Sequence, residues 1–111
     1  MATNNYKKWD VVLVDLNPLK GSEINKTRPC LVISPNAANK HLKTLIVAPL
    51  TSTIRNIPTR LKSNVNGQPG EICFDQLKAI DKSRIIKIVA KLDISERKAV
   101  NLLLMNMFSE L

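Results

Sequence analysis

Thr59-Arg60-Leu61-Lys62, then Asn64 to Gly70 with Asn66-Gly67 inside it, then Glu71-Ile72-Cys73-Phe74-Asp75-Gln76-Leu77 is the stretch on which the fold turns. Asn-Gly is the pair that a two-residue hairpin turn favours, because both of its central residues take positive φ. The stretch therefore predicts a short edge strand over 59–62, a hairpin, and a second strand over 71–77. Beyond it, Arg84 to Leu92 (RIIKIVAKL) reads as another strand. Before it, Trp9 to Leu16, Arg28 to Ser34 and Thr44 to Leu50 have strand composition, closed by turn signals such as Asn17-Pro18 and Pro35-Asn36. Residues 17–27 form a polar loop, 36–41 a short helical turn, and 51–57 a polar connection. Arg28 precedes a proline, which pushes it toward extended geometry at the mouth of its strand.

At Asp93 the period changes. Val100, Leu103, Leu104, Met107 and Leu111 recur at helical spacing, so the chain ends in a helix whose stripe packs on the core. Asp93 with Glu96 three residues on fits a capping box in its Asp form. Six short strands and one terminal helix predict a small, strongly bent antiparallel sheet or barrel. At 111 residues the chain is read as a single domain, 1–111.

Charge narrows the partners. Seventeen Lys and Arg against nine Asp and Glu give a net charge of +8 and a pI near 9.8. Both halves of the chain share the excess, which suits a basic domain that attracts polyanions, nucleic acid above all. Cys30 and Cys73 are too few and too far apart for a disulfide framework and read as buried free thiols. With His41 as the single histidine, neither a His/Cys zinc site nor a Ser-His-Asp arrangement is supported. Three glycines without phosphate-loop spacing argue against nucleotide-driven chemistry. No membrane span and no secretory signal are legible, which makes the cytoplasm the expected compartment.

A polar set stands at the strand ends: Ser22, Glu23, Asn25, Lys26 and Thr27 before Arg28, then Thr51, Ser52 and Arg55, then Asp75, Gln76 and Lys78. Spacing alone does not say that they converge. Gly21-Ser22-Glu23 with Arg28-Pro29-Cys30-Leu31-Val32-Ile33-Ser34-Pro35, however, resembles the signature of the MazF/PemK toxin endoribonucleases. Val14 to Pro18, Val47 to Ser52 and Asp75 to Asp81 agree with that family in order and spacing, so the resemblance runs over roughly residues 9 to 110.

The resemblance implies a mainly β fold with a C-terminal helix, a small SH3-like antiparallel barrel of the MazF/PemK/CcdB kind. It implies a homodimer that cuts single-stranded RNA without metal or cofactor, and an acidic antitoxin protein as partner. The arginine of the family's Arg-Pro motif falls on Arg28 and the threonine ending its third-strand motif on Thr51, the two expected catalytic residues. Glu23 and Asp75 match acidic positions and are the acid/base candidates, although both also suit loop capping or salt bridging. Lys20, Ser22, Asn25, Lys26, Thr27, Ser52, Arg55, Gln76 and Lys78 are the expected RNA-binding residues. Phosphates would be held by Arg and Lys, base edges by Asn and Gln. The chain departs from the pattern at Trp9 and Ile24, where many members have Gly and Gln. Two other readings use the same fold: a toxin that inhibits a protein target such as gyrase, and an RNA-binding module without catalysis. Having Arg28 and Thr51 together at their motif positions disfavours both.

Overall fold

The computed structural model describes residues 5–17 and 26–109. Among these run β1 (Asp10–Asp15), β2 (Thr27–Val32), α1 (Asn36–Asn39), β3 (Thr44–Thr51), β4 (Arg60–Val65), β5 (Gln68–Cys73), β6 (Lys78–Asp81), β7 (Ile85–Lys91) and α2 (Ile94–Phe108). Every strand pair is antiparallel, in the order β4-β5-β3-β2-β1-β7, with β6 beside the first half of β3. β3 is the hub: one edge bonds β2, and the other bonds β6 and then β5.

The central strands bury both faces, which explains their near-continuous apolar runs. Val12, Val14, Cys30, Val32, Leu45 and Val47 pack with Tyr6 and Ile80 on one face. Val11, Leu31, Ala48, Ile72 and Phe74 pack with Leu92 and Val100 on the other. α2 covers this second face, with Val100 buried and Leu103, Leu104 and Met107 half-buried against it. Burying the Val100 side chain stabilises that docking by about 1.5–3 kcal/mol. Leu111, the last residue of the stripe, lies outside the described residues.

The predicted hairpin turn is present, with Asn66 at φ 52 and Gly67 at φ 77. The sheet curls so far that this turn reaches the opposite edge, where Asn66 Nδ2 donates to the Val89 carbonyl at 2.9 Å. No backbone ladder joins β4 to β7. The expected barrel is thus a half-barrel, with the Asn66 side-chain amide bridging its two edges.

Several local expectations shift. Lys78–Asp81 is a seventh strand, paired from Thr44↔Asp81 to Val47↔Lys78; only Ile80 in it is buried, so composition carried no signal. The strand expected over 71–77 starts at Gln68 and stops at Cys73. There the Phe74 N–H donates to the Thr59 carbonyl at 3.0 Å, and residues 74–76 form a 3-10 turn. Asp93 sits at the N-cap of α2, but its carboxylate caps no amide and instead accepts the Ser95 hydroxyl at 2.5 Å. A charge-assisted O–H bond wins over the amide.

Trp9 lies just ahead of β1 at φ 80, the left-handed region. Its N–H donates to the Val32 carbonyl at 2.9 Å and its carbonyl accepts from Leu92 at 2.8 Å. Cationic Lys8 and Arg97 lie over its ring at 4.9 and 5.5 Å. Both cysteines are buried and free, and burial pushes the Cys30 thiol up to about 11. Among the described residues no helix is long and apolar enough to cross a membrane.

Candidate active site

Strand register assembles the site. Cys30 faces Pro49 and Leu31 faces Ala48 across β2 and β3. That register brings the start of β2 toward the end of β3, and Arg28 and Thr51 at those ends line the same two hollows. β1 places Val14 against Arg28, and β5 places Glu71 against Thr51 with Lys62 of β4 beyond it. Arg28, Thr51 and Glu71 therefore lie together where β2 begins and β3 ends. Arg28 is exposed and Thr51 half-buried. Gly70 lets β5 come this close, since a Cβ there would lie 2.3 Å from the Thr51 carbonyl oxygen.

Two hollows meet at the pair. The larger, about 450 Å³, has apolar walls of Leu13, Pro29, Leu50, Val65 and Val89, with Thr27, Ser52, Asn66 and Gln68 adding polar groups. Ser63, also in its lining, has a buried Oγ with no hydrogen-bond partner among the described residues. The smaller, about 230 Å³, is lined by Arg28, Thr51, Thr53, Arg55, Arg60, Cys73 and Gln76. The guanidinium groups of Arg28 and Arg55 and two hydroxyls around so small a space suit a phosphate, and apolar walls beside it suit the faces of bases.

The acidic side chains are engaged. Asp75, in the turn after β5, accepts from Arg60 Nε at 3.1 Å, from Arg60 Nη2 at 3.3 Å and from the Thr59 hydroxyl at 3.1 Å. The Arg60 fork holds its carboxyl below the usual range. Glu71 is 1% exposed and accepts the N–H groups of Arg55 at 3.0 Å and Asn56 at 2.9 Å, with Arg60 Nη1 at 3.8 Å. Those bonds, the Arg55 amide first, hold it below the carboxylate range although burial pushes the other way.

Of the residues read from the sequence, Arg28, Thr51, Thr27, Ser52, Arg55 and Gln76 gather around the two hollows, with Asp75 reaching them through Arg60. Lys26 is exposed just before β2, its carbonyl accepting the Leu16 N–H at 2.9 Å. Lys78 lines a separate hollow with Asp15, Asn17 and Arg84. Glu23, Lys20, Ser22 and Asn25 lie outside the described residues. Glu71, Arg60 and Thr53 were not singled out from the sequence. The one available signal was an acid, Glu71, abutting the apolar run Ile72-Cys73-Phe74. Among the described residues no three His, Cys, Asp or Glu side chains group to hold a metal ion.

Known proteins share this arrangement of strands. The chain is 32% identical over 101 residues to the endoribonuclease MazF of Staphylococcus saprophyticus, covering 86% of this chain and 84% of that protein. It is 34% identical over 93 residues to the endoribonuclease EndoA of Bacillus subtilis, covering 78% of this chain and 80% of that one. A chain of the MazE-MazF complex from Deinococcus radiodurans superposes with a TM-score of 0.79 at 23% identity, over 95% of this chain and 96% of its own. An endoribonuclease from a mycobacterial species, in complex with its cognate antitoxin, gives 0.78 at 22% identity over 91% and 92%. These two structures share the fold. Residues 7–108 match the family of PemK-like, MazF-like toxins of type II toxin-antitoxin systems, and the chain belongs to that family.

Proposed function

We propose that this toxin is a sequence-specific, metal-independent endoribonuclease that cuts single-stranded RNA, messenger RNA included, with Arg28 and Thr51 at the reacting phosphate. The observation that carries this is that Arg28, at the start of β2, and Thr51, at the end of β3, both line the two adjoining hollows, one cationic and one apolar. A ribose 2′-oxygen bonds to the adjacent phosphorus as the bond to the 5′-oxygen of the next nucleotide breaks. The products are a 2′,3′-cyclic phosphate and a 5′-hydroxyl, the departing 5′-oxygen taking a proton from water as the 2′-hydroxyl gives one up. Charge grows on the phosphoryl oxygens, where the planar fork of Arg28 donates from a fixed position. Thr51 Oγ1 accepts the Thr53 N–H at 3.2 Å, which leaves its own proton to point at phosphate.

Arg28 stays protonated throughout, so it stabilises charge and does not act as the base. Of the two candidate carboxylates, Asp75 is taken up by Arg60 and Thr59, which favours Glu23 as the proton acceptor. Arg55 and the lysines Lys20, Lys26 and Lys78 hold phosphates, while Ser22, Asn25, Thr27, Ser52 and Gln76 meet sugars and base edges. The working form is a homodimer in the cytoplasm, silenced by an acidic antitoxin segment that competes for the same +8 surface. The solved relatives that carry a cognate antitoxin support that partner.

A digest of labelled single-stranded RNA in EDTA tests the reaction. Cleavage with cyclic-phosphate ends is expected, and none at a 2′-deoxy position. Arg28→Ala and Thr51→Ala each lower the rate by about 100-fold or more with circular dichroism unchanged. Loss of cleavage in EDTA, or near-normal turnover of either variant, would overturn the reading.

A further inference from the structure

Glu71 has no part in that chemistry, yet it is the most deeply buried acid among the described residues. A carboxylate under a sheet is tolerated only when its lone pairs are taken, and an apolar side chain would suit a strand continuing into Ile72, Cys73 and Phe74. What takes the lone pairs is backbone: both Glu71 oxygens are used to hold two consecutive amides, those of Arg55 and Asn56. These lie in the exposed connection between β3 and β4, which has no regular structure over residues 53–57. The described ties of that connection are few. Thr53 donates to Thr51 Oγ1, Arg55 and Asn56 donate to Glu71, and Arg60 closes the end by donating to the Ile57 carbonyl at 3.0 Å. Asn56 sits at φ 55, in the left-handed region that asparagine adopts more readily than most residues.

We propose that Glu71 is a positioning residue for RNA: by gripping the Arg55 and Asn56 amides it fixes the connection so that Arg55 faces the small hollow it shares with Arg28. The role rests on the reading of that hollow as a phosphate site. Arg28 and Thr51 are placed by strand register, but Arg55 stands on a loop, and a mobile loop would lose freedom each time RNA bound. Preorganising it moves that cost from binding to folding. The contribution therefore falls on substrate affinity and not on the chemical step.

Glu71→Gln is nearly isosteric and keeps one acceptor while turning an NH2 group toward the second amide. It is expected to raise KM about 3–10-fold with kcat within about twofold, the loss of one hydrogen bond to a charged acceptor. In 1H–15N spectra the Arg55 or Asn56 amide loses its downfield shift and its protection from exchange. Arg55→Ala raises KM similarly, and the double variant is no worse than Arg55→Ala alone, because Glu71 acts through Arg55. A fall in kcat at constant KM, as partial unfolding gives, would overturn the role, and so would KM effects that multiply in the double variant. If the unmodified protein cuts no RNA, the proposed function falls and this role with it. Multiplying effects in an active enzyme remove this role alone.

Discussion

Trp9 holds a bulky side chain at φ 80, where only glycine is at ease. The ring is kept there by packing on the second core and by the Lys8 and Arg97 cations over its faces. Strain and packing can be separated by substitution. Trp9→Ala loses the packing and keeps the strain, costing about 2–3 kcal/mol for a half-buried ring. Trp9→Gly loses the same packing but relieves the backbone, so it should be the more stable of the two by about 1 kcal/mol. Urea denaturation followed by circular dichroism decides this, and equal stabilities would show that φ carries no strain. At this scale the sequence was informative in an uneven way. Arg28 declared itself through the proline after it and through family likeness. Glu71 looked like an ordinary strand residue, because its partners are backbone amides 15 and 16 positions away that no side-chain pattern encodes.

Elements were more legible than their edges. The Asn66-Gly67 hairpin and the Val100 stripe of α2 were readable because turn chemistry and helical period are local. β6 was not, since Lys78–Asp81 is a strand only by virtue of lying against β3. Nor was the early end of β5, which is set by the bond from Phe74 to Thr59, 15 residues back. The joint between β3 and β5 has its own prediction. Gly70→Ala drives a methyl group into the Thr51 carbonyl, a backbone atom that cannot swing aside. The strands must part, with an expected loss of about 1–3 kcal/mol. Cleavage should fall by more than the folded fraction does, because Thr51 moves away from Arg28. A variant with lower thermal stability but normal turnover per folded molecule would show that the joint does not position Thr51.

For the whole molecule, acid is the relevant stress. Glu71 and Asp75 are both held below their ordinary values of 4.5 and 3.8. The unfolded chain therefore takes up protons before the folded one does, and the stability these groups supply is present above the ordinary values and lost as pH falls through the folded ones. Urea midpoints should be flat from about pH 7 to pH 5 and decline below that. Asp75→Asn should lower the midpoint at neutral pH and flatten the acid decline; an unchanged slope would place the sensitivity in other carboxylates. The overall charge was plain from the sequence. A strongly bent sheet was legible too; what the sequence could not supply was how far the curl goes, bringing Asn66 to Val89, because its extent comes from the summed twist of the ladders.

Trp9 also gives the protein a built-in optical reporter, and its location decides what that reporter sees. It is the single tryptophan of the chain. It sits where β1, the Leu92 amide and Arg97 of α2 meet. Arg28 lies opposite Val14, five residues further along β1, or about 16 Å away at strand rise. Intrinsic emission will therefore follow undocking of the terminal helix and stay dark to occupancy of the cleft, so a binding titration needs a label placed elsewhere.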